Sequence, residues 1–366
     1  MKDAIVDSNF PFTEDRRTYH VALKHGEVAN RILTVGTSIH MALDSSQVTI
    51  HCELINDDTI PSLEKMFVLL SPGDHVRARR IAKFLDPTPK VFELTSQRGF
   101  TTFTGCYLGV PVSIIAIGMG YPMIDFFVRE VRAVLRGEMI IIRLGSCGTL
   151  VPEIPVGRVV VCSRSLAIWT NYDYFQLSEQ EREELKGTPA GSPYLMSRPI
   201  VCDQELHDKL TENLEKNVDK GLVSSNALHS SADTFYAGQG RLDSNFMDHN
   251  QGLLESLSKL NPSPITLEME TTHLFHLAAI NQHKPSGPSE EPNQDPLSFC
   301  QGKGEIRVAA AHITFAGRIS GDFISPDVVE KLEFQAGKGC LETLINQKID
   351  LVNLHPPEGS VWSSQS

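Results

Sequence analysis

The sequence has no apolar stretch of the ~18 residues that a membrane-spanning helix requires, so nothing in it reads as a membrane protein. It is short of cations: 33 Lys and Arg stand against 45 Asp and Glu, a net charge of -12. That balance excludes a protein built to hold a nucleic-acid backbone, which needs many cations on phosphates, yet a local cluster of arginines can still hold one small anion. The seven cysteines form no Cys-x-x-Cys pair, and an odd, scattered set fits reduced thiols better than a disulfide framework or a zinc site. The first residues carry acids early and no apolar core of a signal peptide. There is no Asn-x-Ser/Thr acceptor with a permitted middle residue, no lipidation signal and no internal repeat. These absences together point to a cytoplasmic protein.

What is present is an ordinary globular composition, 41% apolar and 21% charged over 366 residues. At about 150 residues per domain this allows two domains, or one large α/β unit. Short β-rich runs at 66–70, 112–118, 139–144, 158–163 and 306–313 suit strands buried on both faces. Between the second and third, residues 123–136 place apolar side chains at helical spacing behind Pro122, which completes a β-α-β unit. Further helices are expected over 269–280 and 327–346. Residues 282–304, rich in Pro, Gly, Ser and acids, read as a mobile insertion, and 351–366 as a disordered tail.

Several familiar signatures fail. Gly118-Met119-Gly120 follows a strand, but Met123 stands where the dinucleotide fingerprint needs glycine. No phosphate-binding loop of the G-x-x-x-x-G-K-[ST] type occurs, and Ser146 lacks the first glycine of a nucleophile elbow. His273 and His276 lack an acid at metalloprotease spacing, so no metal site is expected.

Five Gly-bearing or acidic groups remain. Ser71-Pro72-Gly73-Asp74-His75-Val76-Arg77 sets a glycine, whose amide can approach an anion closely, before an arginine that can fork onto its oxygens. An ordinary strand-to-helix turn has the same look. Arg98-Gly99-Phe100-Thr101-Thr102 and Arg143-Leu144-Gly145-Ser146-Cys147-Gly148 repeat the pairing of arginine and glycine. Arg143 sits inside an apolar run, where a permanent charge needs either a structural ion pair or a bound partner. In Asp233-Thr234-Phe235-Tyr236-Ala237-Gly238-Gln239-Gly240-Arg241, Gln offers donor and acceptor, Arg only donors, and the aromatic rings can stack on a heterocycle. Glu268-Met269-Glu270 opens the expected helix; its acids suit either the helix dipole or sugar hydroxyls.

In order and spacing, PGDxxxR, RxFTT, RxGSCG, DTFYxGQGRLD, EME and GRISGDFISP resemble the nucleoside phosphorylase family of the uridine phosphorylase type. GQGRLD and RISGDFIS are most similar to its eukaryotic members. The resemblance runs from about residue 66 to 350, leaving 1–65 as an N-terminal extension and insertion partly packed on a dimer. It implies a three-layer α/β/α fold around a mixed, partly barrel-like sheet.

Carried over residue by residue, it implies that Gly73, Arg77, Arg143 and Ser146 hold phosphate, with Arg98 contributed from a partner subunit. His20, also from the partner, would reach the ribose together with Met269 and Glu270. Phe235, Gln239 and Arg241 would hold the base, with Cys147, Gly148, Glu268 and Arg318 around it. Arg143, Glu270 and Arg241 are the expected catalytic residues. Ser146 replaces the family's usual Thr, Cys147 a Ser or Thr, and Gly99 a Glu that bacterial members tie to a monovalent cation.

The implied reaction is reversible phosphorolysis of uridine, with deoxyuridine or thymidine as further substrates, to uracil and (deoxy)ribose 1-phosphate in pyrimidine salvage. It needs no cofactor, only inorganic phosphate as co-substrate, and a homodimer with shared sites; neither nucleic acid nor membrane is a partner. On a helix, residues two apart point to different faces, so Glu270 is expected as the direct ligand and Glu268 as support. A purine nucleoside phosphorylase, a nucleoside hydrolase or a non-catalytic binding protein of the same fold are the alternatives.

Overall fold

The structure is a computed structural model that describes residues 5–6, 10–13, 15–36, 75–281 and 304–363. A small hairpin, β1 (Ile5–Val6) and β2 (Phe12–Thr13), precedes one mixed sheet of eleven strands. These are β3 (Arg31–Val35), β4 (Phe92–Thr95), β5 (Thr101–Tyr107), β6 (Val110–Ala116), β7 (Met139–Thr149), β8 (Val159–Thr170), β9 (Tyr194–Met196), β10 (Ile200–Val201), β11 (Val223–Ala232), β12 (Thr266–Glu268) and β13 (Ile306–Gly317). The helices are α1 (Val76–Ala82), α2 (Tyr121–Val134), α3 (Glu179–Glu184), α4 (Gln204–Asn217), α5 (Leu253–Ser258), α6 (Thr271–Ala279) and α7 (Pro326–Ile345).

The sheet closes on itself through β7, β13, β8, β11 and β12, because β12 pairs back onto β7 and β13 bridges β7 to β8. β3, β6, β5 and β4 continue from β7 as an open wing. Every residue from Met139 to Gly145 is buried, and the alternation of the strand sorts them between two cores. Ile140, Ile142 and Leu144 join residues of α1, α4 and α7. Met139 and Ile141 join residues of α2 and α6 on the other face. The expected three-layer α/β/α arrangement around a partly closed mixed sheet is what the chain adopts.

The expected strands at 112–118, 139–144, 158–163 and 306–313 are β6, β7, β8 and β13, and the helices expected at 123–136, 269–280 and 327–346 are α2, α6 and α7. Four differences have physical reasons. Gly145 to Gly148, which lie beyond the strand expected at 139–144, continue it, because β13 pairs with β7 from Met139 to Thr149. Glu268, expected on a helix, ends β12, and Glu270 caps α6. Arg31–Val35, expected within an extension, is a fully buried strand between β6 and β7. Residues 351–363, expected to be disordered, pack: Trp362 lies with Ala29 and Cys106, and the Val361 amide donates to the Gly26 carbonyl at 2.9 Å. The strand expected at 66–70, Gly73 and nearly all of the 282–304 insertion fall outside the described residues.

Candidate active site

Arg143 is carried into the interior by β7, where its neighbours in the chain are apolar, and it is only 2% exposed. The end of β12 and the start of α6 supply the charges that make this tolerable. Arg143 Nη2 donates to Glu268 Oε2 at 3.1 Å and to Glu270 Oε2. Its Nε and Nη1 are buried with no hydrogen-bond partner among the described residues. An unpaired buried donor on a cation is costly, so these two nitrogens mark where an anion would complete the arrangement.

Glu268 is saturated. Oε1 accepts from Ser231 Oγ at 2.5 Å and the Thr271 amide at 3.0 Å, and lies 3.0 Å from His229 Nε2; Oε2 takes Arg143 and the Glu270 amide at 2.9 Å. Burial would raise this carboxyl, but the nearby His229 ring and the Arg143 guanidinium outweigh it and hold Glu268 well below the usual range. Protein donors thus occupy both oxygens of Glu268.

Glu270 has fewer donors. It accepts from Arg143 and from the Gly120 amide, whose residue sits at φ 94, a backbone region natural to glycine. Burial pushes its carboxyl up to about 8, with Glu268 adding to the rise and Arg143 opposing it. Met269 lies half-buried between the two acids.

Arg77, 1% exposed on α1, donates through Nε to Glu333 at 2.8 Å and through Nη1 to the Leu144 carbonyl at 3.1 Å. Its Nη2 is buried without a partner among the described residues, and the carbonyl its Nη1 reaches is that of the residue next to Arg143 in β7. Ser146 follows half-buried on the same strand, and Cys147 is buried, its thiol driven up by burial and Glu268.

The group of Phe235, Gln239 and Arg241 assembles next to these acids. Gln239, 4% exposed, receives Arg241 Nη1 at 2.6 Å and reaches the Glu268 carbonyl at 3.5 Å. Arg241 also donates to the Phe235 carbonyl at 2.7 Å and stacks its guanidinium 3.7 Å above the Phe235 ring. Burial, then the charge of Arg318, brings Arg241 down to about 10, which leaves it charged at neutral pH. A Cβ on Gly148 would lie 3.0 Å from Cγ and Cδ of Arg318, so that glycine is the seat of the arginine.

Arg98 and His20 are not brought to this cluster. Arg98 donates to the Tyr19 hydroxyl at 3.1 Å across a turn led by Gly99, and His20 stacks on Phe126 at 3.7 Å with Nδ1 2.5 Å from Glu130. Neither has a hydrogen bond or ion pair with Arg143, Glu268 or Glu270.

Sequence reasoning missed Gly120, His229, Ser231, His312 and Glu333. Polar residues inside buried strand or helix patterns were the available signal for His229, His312 and Glu333, the same signal that singled out Arg143.

The model of the Phosphorylase superfamily matches residues 68–285, more than half of the chain, and the chain belongs to that superfamily. A uridine phosphorylase of Thermococcus kodakarensis is 27% identical over 283 residues, 76% of this chain and 78% of its own. A DeoD-type purine nucleoside phosphorylase of Oceanobacillus iheyensis is 30% identical over 211 residues, 58% of this chain and 75% of its own. A solved structure from work on two uridine phosphorylases of the oomycete Phytophthora capsici superposes with a TM-score of 0.71 at 31% identity, over 94% of this chain and all of that one. Within the superfamily the chain is an enzyme, a pentosyltransferase of the uridine phosphorylase type. Among the described residues no helix is long and apolar enough to cross a membrane.

Proposed function

We propose that the protein catalyses reversible phosphorolysis of uridine, and of deoxyuridine or thymidine, giving uracil or thymine and (deoxy)ribose 1-phosphate. The observation that carries this is Arg143, whose Nη2 is held by Glu268 and Glu270 while Nε and Nη1 have no partner among the described residues; Gln239, which receives Arg241, reaches the carbonyl of the same Glu268. Phosphate held by Arg143, Arg77 and Ser146 attacks C1' of the sugar as the bond to N1 of the base breaks. The electron pair of that bond leaves with the base, whose charge spreads over its carbonyl oxygens; Gln239, Arg241 and Arg318 are the donors that receive it.

Glu270, with spare lone pairs, takes the sugar hydroxyls, and Met269 packs on the ring. The step as written uses no cofactor or metal and no covalent enzyme intermediate. The Arg98–Tyr19–His20 group, assembled away from its own Arg143, supports a homodimer in which each copy completes the other's site. The buried free cysteines among the described residues support a reducing, cytoplasmic setting, and the reaction as proposed would serve pyrimidine salvage.

The test is uracil release from uridine by purified protein with and without inorganic phosphate, following ribose 1-phosphate. Release that requires phosphate and yields the sugar phosphate is expected. Release without phosphate would make the enzyme a hydrolase, and turnover of inosine but not uridine a purine phosphorylase.

A further inference from the structure

Glu130 is a buried acid that the reaction as proposed does not use. It sits on α2, 5% exposed, and its ion-pair partner among the described residues is His20. A buried carboxylate needs donors on both oxygens, and here residues 20 and 21 supply them. Oε2 accepts from the Val21 amide at 2.7 Å, the His20 amide lies 3.0 Å from each oxygen, and Oε1 takes His20 Nδ1 at 2.5 Å.

A carboxylate only accepts, so the Nδ1 that faces it carries the proton, and in the neutral ring Nε2 is left as a lone pair. The ring plane is fixed as well. Phe126, four residues before Glu130 and on the same face of α2, stacks on the imidazole with planes 10° apart, and Tyr19 meets it edge-on at 4.9 Å. The His20 side chain keeps 21% exposure, and its Nε2 has no hydrogen-bond partner among the described residues. Position, plane and tautomer are thus all set for a nitrogen that its own copy of the chain leaves unused. The same helix serves the site of its own copy at its start, where the Gly120 amide holds Glu270. Glu130 follows ten residues later, about 15 Å along the axis.

We propose that Glu130 is a positioning residue for sugar binding in the partner's site: it locks His20 so that Nε2 accepts from a sugar hydroxyl bound in the other copy. This rests on the reading of a homodimer whose copies complete each other's sites. Phosphate binding, which draws on Arg143, Arg77 and Ser146, is left nearly untouched.

Glu130→Gln keeps the shape but sets an amide NH2 against N–H donors and allows the other tautomer, in which Nε2 is a donor. It is expected to raise the uridine KM about tenfold with the phosphate KM within about twofold of wild type. His20→Ala is expected to do the same, and the double variant to be no worse than His20→Ala alone, because Glu130 acts only through that ring. A wild-type uridine KM in Glu130→Gln, or a double variant in which the two losses multiply, overturns the inference. If Glu130→Gln does not fold, Glu130→Asp, a carboxylate one methylene shorter, decides: an unchanged uridine KM overturns, a raised one supports.

Co-expressed, doubly tagged heterodimers of Glu130→Gln with Arg143→Ala test the action across the interface. They contain one site that joins an intact Arg143 to the other copy's intact Glu130 and His20. That site is expected to show the wild-type uridine KM; a raised KM there would place the effect of Glu130 within its own subunit and overturn the inference, as would a wild type that sediments as a monomer. A dimeric wild type that cleaves inosine but not uridine ends the uridine reading alone, and the same variants are then judged by the same criteria on the inosine KM.

Discussion

The imidazole of His312 packs directly on the backbone of Gly145, so closely that a Cβ at that position would lie 2.6 Å from Cδ2 and 3.3 Å from Nη2 of Arg143. The glycine of the Arg-Leu-Gly-Ser-Cys-Gly run is thus a space requirement set by a histidine on the neighbouring strand. Gly145→Ala is expected to cost about 1–3 kcal/mol of stability and most of the activity. Denaturant titration and phosphorolysis assays check this, and Gly145→Ala with His312→Ala is expected to recover part of the stability.

Glu270 and Arg79 give a contrast within one assay. Arg79 pairs with Glu93 at the surface, 53% exposed, while Glu270 contacts Arg143 and the Gly120 amide. Glu270→Ala is expected to lower kcat/KM for uridine by about 100-fold or more, and Arg79→Ala to stay within about twofold. Comparable losses in the two variants would remove the assignment of Glu270.

Glu333 accepts from Arg77 at 2.8 Å and Arg80 at 2.6 Å, with its own side chain 0% exposed. Removing one partner of a buried ion pair strands the other charge. Glu333→Ala is expected to cost about 3–5 kcal/mol by denaturant unfolding and to raise the KM for phosphate, because Arg77 loses the partner that aims it.

His355 supplies a pH test. Burial, helped by the charges of His25, Arg136 and Arg132, brings its imidazole from 6.5 down to about 3. Below pH 6.5 the unfolded chain binds a proton that the folded His355 refuses until about pH 3, so its contribution to stability is full above 6.5 and is lost as the pH falls through that window. Asn can still accept the Arg136 amide that now reaches His355 Nδ1 at 3.0 Å. His355→Asn is expected to make unfolding free energy less steeply pH-dependent between about pH 7 and pH 5, read by denaturant titrations.

The elements most legible in the sequence were those whose burial is nearly complete. The runs that became β7, β8 and β13 have no polar face to confuse the reading, and α2 and α7 keep a helical stripe behind a proline. Arg143 stood out for the same reason, as a charge in an apolar run. Less was legible where pairing decides the outcome. Gly145 and Gly148 read locally as a turn, and only the register with β13 makes them strand. Glu268 and Glu270 looked like residues on two faces of one helix. The break between β12 and α6 falls between them, so both reach Arg143, an outcome set by the strand pairing of Thr266 and Leu267 with β7.

The packing of residues 353–362 against β3 has a consequence for synthesis. The Asn353 carbonyl receives the Glu138 amide at 2.9 Å, the His355 amide reaches Asn30 Oδ1 at 2.8 Å, and Val361 pairs with Gly26. The residues that lead into a central strand are therefore clasped by residues made more than three hundred positions later. On the ribosome Gly26 and Asn30, which lead into β3, therefore stay uncovered until translation has passed residue 361, long after β6 and β7 have been made.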